Sequence, residues 1–198
     1  MTRAPFLLAL AAAALPAAAG AQTTNPLSRT FAVNANVPRA CAISAPQLAA
    51  GAQINFRGLN GTTLQIDRLV DPTTLSTNAA SVEVSFEAIC NLPHRVRLET
   101  QNNGLWQTSE VTPARVDGFG FAIPYRARLD WADDVLLLVA DAQVRRISES
   151  SLFVNESRMG DIRIRFEIDP GASNDRQNAP ILAGFYGDTI RVILEPQQ

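Results

Sequence analysis

Two cysteines, one histidine and a group of three aspartates are the residues of this chain best equipped to do chemistry. Cys41 and Cys90 are its only thiols and His94 its only imidazole. No C-x-x-C spacing occurs, so a redox motif or a thiolate metal site has little to build on, and an even pair in an exported chain predicts a structural disulfide. Closing a loop of about 50 residues would stabilise the fold by up to roughly 4 kcal/mol. His94 stands in Pro93-His94-Arg95 at a strand entry, a context that predicts a surface or structural role. Asp130, Asp133 and Asp134 flank Trp131 without the alternating oxygen ligands and glycine of a calcium loop, so they predict a solvated turn. Trp106 and Trp131 have the rings to stack on a sugar, but in a β-rich chain they predict core positions. Asn60-Gly61-Thr62 and Asn155-Glu156-Ser157 match the glycosylation sequon, a short pattern that arises easily by chance. A nucleophile with its base, a carboxylate pair or a metal set is what a hydrolase needs. No catalytic, cofactor-binding or metal residue is assigned, no cofactor is expected, and the chain is not expected to be an enzyme.

The elements that carry these residues read as strands. Val82, Val84, Phe86, Ala88 and Cys90 form one apolar face with Glu83, Ser85 and Glu87 opposite, which places the second cysteine at the inward end of a half-buried strand. Asn91-Leu92-Pro93 breaks it, and His94 to Thr100 alternates again up to the turn Asn102-Asn103-Gly104, so the two segments predict a pair. Phe119, Phe121, Ile123, Tyr125, Ala127, Leu129 and Trp131 make the longest alternating run, with Pro124 favouring an edge or a bulge. Ile162, Ile164, Phe166 and Ile168 alternate with charged residues before Asp169-Pro170-Gly171. Gln53 to Leu59 predicts a short strand, Val135 to Ala140 a fully buried one, Asp141 to Phe153 a short helix or a loop, and Ser173 to Pro180 a surface loop. Short strands with frequent turn signals predict an all-β sandwich.

Length and composition agree with one domain of ordinary size. The 198 residues are 46% hydrophobic, and all 17 basic side chains are arginine, dispersed and balanced by 19 acids. No basic stripe exists to neutralise a phosphate backbone, so no nucleic-acid partner is expected. Residues 1–21 predict a signal peptide: Arg3 supplies the positive start, Phe6 to Leu15 the apolar core, and Ala19-Gly20-Ala21 the cleavage pattern before Gln22. No later run approaches the roughly 20 apolar residues of a membrane helix, so no membrane insertion is expected. After the leader come an extension over 22–40 and a β-domain over 41–198. Within the extension, Phe31, Val33, Ala35 and Val37 share one face of an alternating run. That run is either the domain's own first strand or a strand offered to a neighbour. The last strand, Ile190-Arg191-Val192-Ile193-Leu194-Glu195, leaves only Pro196-Gln197-Gln198 after it. A sheet one strand short is the expectation, and its open edge must be covered by another segment or another chain.

Taken together, the leader, the run Phe31 to Val37, Cys41-Ala42-Ile43, the strand Val82 to Cys90 and the closing Gly184-Phe185-Tyr186-Gly187-Asp188-Thr189-Ile190-Arg191-Val192 resemble the spore coat protein U family, whose members are mostly subunits of archaic chaperone-usher pili. Gly-x-Tyr-x-Asp-Thr is the most specific part. The family often shows Phe-Gly after the first cysteine, where this chain has Phe56-Arg57-Gly58, and the middle from Trp106 to Val154 departs further. The resemblance implies an incomplete immunoglobulin-like sandwich lacking its last strand. It implies a donor strand at Phe31, Val33, Ala35 and Val37 and a groove walled by Ile190, Val192 and Leu194. The partners implied are neighbouring subunits, a periplasmic chaperone and an outer-membrane usher, with export to the cell surface. Two other classes stand beside it: a secreted sandwich that binds a surface or carbohydrate without polymerising, and, more remotely, an exported enzyme.

Overall fold

The computed structural model describes residues 28–51, 53–108 and 116–197. The chain divides into two compact units, Met1–Asn36 and Val37–Gln198. The expected signal peptide lies outside the described residues. Residues 28–36 of the first unit carry no regular secondary structure and are exposed.

The second unit is built of strands: β1 Cys41–Ile43, β2 Gln47–Leu48, β3 Phe56–Asn60, β4 Thr63–Ile66, β5 Ala80–Cys90, β6 His94–Thr100, β7 Leu105–Gln107, β8 Ala122–Ile123, β9 Tyr125–Trp131, β10 Asp134–Ala140, β11 Ser148–Val154, β12 Arg158–Ile168, β13 Tyr186–Gly187 and β14 Ile190–Pro196. All pairings between named strands are antiparallel. A six-stranded sheet runs β1-β5-β12-β9-β10, with β2 also on β5, and a three-stranded sheet runs β11-β6-β14. Their inner faces enclose one core. Val82 and Val84 of β5, Ile162, Ile164 and Phe166 of β12, and Ala127, Leu129 and Trp131 of β9 meet Val96 and Leu98 of β6 and Val154 of β11. The period of two that marks these strands in sequence is therefore the period at which side chains enter the core.

Four sequence readings change. The strands β5 and β6 are not a pair: β5 lies between β1 and β12, whereas β6 lies between β11 and β14. Pro93 ends the first ladder, and the three residues 91–93 carry the chain across from one sheet to the other. The strand β10 is not fully buried. Leu136, Leu138 and Ala140 point inward, but Val135, Leu137 and Val139 are about half exposed, because only one face of the sheet meets the core. Asp141 to Phe153 holds no helix; residues 141–147 cross to the second sheet and β11 follows. Pro124 splits the longest alternating run into β8 and β9, which belong to different sheets.

The two long edges of the sandwich differ. At one, β10 leads directly into β11, and the crossover is held by Asn103, whose side chain donates to the Asp141 carboxylate at 2.5 Å and the Val144 carbonyl at 3.2 Å. Asn103 (φ 55°) and Gly104 (φ 147°) form the turn that makes this possible, and a Cβ on Gly104 would lie 2.6 Å from that of Ala142. At the other edge, β1 and β14 are each paired on one side only. No chain crosses between them among the described residues.

Candidate functional site

The open edge is a groove of about 480 Å³. Ile190 and Val192 of β14 form one wall, and Ile43, Ser44 and Pro46 with Val84 and Phe86 of β5 form the other. Ile164, Phe166, Tyr125 and Leu105 make the floor, while Phe56, Leu59, Leu64 and Ile66 of the β3–β4 hairpin lie along it. The wall at β14 carries a row of backbone donors and acceptors with no strand beside it among the described residues, because β14 pairs only with β6. Such an arrangement offers main-chain hydrogen bonds on its rim and apolar pockets below, the requirements for taking up an extended peptide.

Each end is fixed differently. At one, Cys41 and Cys90 face each other in the β1–β5 ladder and are joined by a disulfide, with His94 close by. The ligand atoms of these three residues lie within 4.8 Å, but both sulfurs are committed to the bond, so the cluster is structural. His94 is fully buried, packs on Trp131 at 5.1 Å between ring centroids, and donates from Nδ1 to the Leu92 carbonyl at 2.9 Å. At the other end, the Asp188 carboxylate accepts from the Tyr125 hydroxyl at 2.9 Å, from the Asn102, Gly104 and Thr189 amides at 2.9, 3.1 and 2.7 Å, and from the Thr100 hydroxyl. One carboxylate thus ties the start of β14 to the end of β6, to the following turn and to β9. Burial, and then the neighbouring negative charge of Asp188, push the Tyr125 phenol well above its ordinary range, so it stays a hydrogen-bond donor at any physiological pH. On the outer face, Arg97 of β6 reaches Glu195 of β14 at 2.7 Å and Glu149 of β11 at 2.9 Å, which binds the three strands together across the sheet.

No family model matches this chain, and no curated protein matches it.

Of the residues singled out in sequence as the groove wall, Ile190 and Val192 line the groove, whereas Leu194 packs against the core beyond its end. Phe31, Val33 and Val37 are 84%, 82% and 76% exposed, and residues 28–40 belong to no strand. Pro38 and Ala40 are anchored to the Asn91 side chain at 2.9 Å each, so Val37 is the last residue of the run ahead of that anchor. Of the aspartates around Trp131, Asp130 pairs with Arg128, and Asp134 with Arg158. Trp131 is buried, and Trp106 is half-buried with its indole nitrogen donating to the Asn102 carbonyl at 2.6 Å. The hairpin's contribution to the groove was missed in sequence. Its signal was Gly61 between two short apolar-alternating stretches, a hairpin pattern that also matches a sequon.

Proposed function

We propose that the chain is a structural subunit of a chaperone-usher type pilus or surface appendage, polymerising by donor-strand complementation. In this reading the second unit is an immunoglobulin-like sandwich without its last strand. The run Phe31 to Val37 of one copy enters the groove of the next, with its alternate side chains facing the floor. One observation carries the reading: the groove follows the unpaired edge of β14 and opens onto the core, while an alternating apolar run of the same chain is exposed. Head-to-tail donation is heterologous and builds open filaments rather than closed dimers. Burying Phe31 and the two valines contributes about 1.5–3 kcal/mol each, and Ala35 least. A periplasmic chaperone holds the groove before assembly, an outer-membrane usher passes the subunit outward, and the product lies at the cell surface.

The test is assembly of the chain carrying Phe31→Arg and Val33→Arg, compared with the unaltered chain by size-exclusion chromatography and electron microscopy. Loss of polymers with retention of the folded second unit is the expected result. Polymers of undiminished length from the double variant would sink the proposal.

A further inference from the structure

The β3–β4 hairpin is a two-stranded sheet of its own, hydrogen-bonded to neither large sheet along its length. Among the described residues, only its base is hydrogen-bonded to the rest of the domain. Ile54 and Ser81 exchange backbone bonds of 2.8 and 3.0 Å, and Asn55 bonds to Arg68 through both side-chain atoms, at 2.6 and 2.9 Å. The tip is a two-residue loop, Gly61-Thr62, with Gly61 at φ 60°. An irregularity between Phe56 and Gly58 shifts the alternation, so that Phe56 and Leu59, three residues apart, both face inward with Leu64 and Ile66. Arg57, Asn60 and Gln65 face outward.

The inward row is unequally held. Phe56, Leu64 and Ile66 pack against the core, Phe56 in edge-on contact with Phe166 at 5.8 Å, but Leu59 and Thr62 reach only the groove. An isolated two-stranded hairpin is marginal in water, so its outer half persists through what it covers. Resting on the donor-strand reading given above, we propose that this hairpin is a flap. It covers the apolar groove of a subunit that awaits a strand, lifts at its Gly61 tip about the fixed Asn55 base to admit one, and closes again on the inserted strand.

Two measurements on the full-length chain test this. In hydrogen exchange of the unaltered protein, the amides of residues 57–65 are expected to exchange together and at least about tenfold faster than those of β5 and β12. Protection equal to that of β5 and β12 would overturn the flap. With Leu59→Ser, which weakens closure without touching the core, binding of the apolar dye ANS is expected to rise. The association rate of a synthetic peptide of residues 28–39 is expected to rise by about tenfold, as the fraction of open grooves grows. Unchanged dye binding and an unchanged rate would equally overturn it. If the peptide bound to neither protein, strand donation would be refuted while exchange and dye binding still decided the flap.

Discussion

Asp188 shows how much one side chain can hold. Its five donors come from Thr100, Asn102, Gly104, Tyr125 and Thr189, which span two sheets and the last turn before β14. Asp188→Ala strands several of them in a half-buried site, and each unsatisfied group costs about 1–3 kcal/mol. We expect a loss of roughly 3 kcal/mol in urea unfolding and a Tm lower by about 5–10 °C. Tyr125→Phe removes one donor and leaves the carboxylate satisfied by the rest, so its loss should be about 1 kcal/mol. A second carboxylate sets an acid limit. The Thr74 and then the Thr73 amides hold Asp71 below the ordinary range of its carboxyl, and the Arg57 guanidinium does the same for Asp67. Because the folded chain prefers these groups charged, their contribution is fully present above about pH 4 and is lost as pH falls through the lower folded values. Asp71→Asn should make the fall in stability below pH 4 shallower, measured as Tm against pH.

Among elements, β1 depends most on a single bond. It is three residues long, pairs among the described residues with β5 alone, and is fastened there by the Cys41–Cys90 disulfide. A Cys41→Ser, Cys90→Ser chain should lose about 2–4 kcal/mol. Protease cleavage near residues 37–46 should then precede global unfolding, checked by mass spectrometry of the first fragments. At the opposite edge, β10 presents Val135, Leu137 and Val139 to solvent with no charge between Asp134 and Asp141. Natural edges usually carry a charge or a proline there. Leu137→Lys is therefore expected to change unfolding stability by no more than about 0.5 kcal/mol while reducing non-specific association at high concentration, read by light scattering.

For the whole molecule, the proposed strand uptake would link stability to occupancy of the groove. A peptide of residues 28–39 supplied at 100 times its Kd should stabilise the second unit by about 2.7 kcal/mol, and the same peptide with Phe31→Arg by much less. Thermal scans with and without peptide measure both. A flat Tm across the titration would mean that the groove takes no strand from this segment.

The residues that alternate at period two, Val82 to Cys90 and Ile162 to Ile168 most clearly, determined by themselves that the chain is all-β, and two thiols without other ligands pointed to the disulfide. These are local properties, set by which side of a pleated strand each side chain occupies. Partnership between strands was not legible. The hairpin-like sequence joining β5 to β6 concealed a crossing between sheets, and the six apolar residues of β10 did not reveal that one face would meet solvent. Such facts depend on contacts between distant segments, which leave no period in the sequence. The tertiary structure alone brought Phe56 and Leu59 alongside Ile190 and Val192, gave Asp188 its five donors, and left β14, among the described residues, paired on a single side. What lines the open edge was decided by packing alone, because its residues come from segments far apart in the chain.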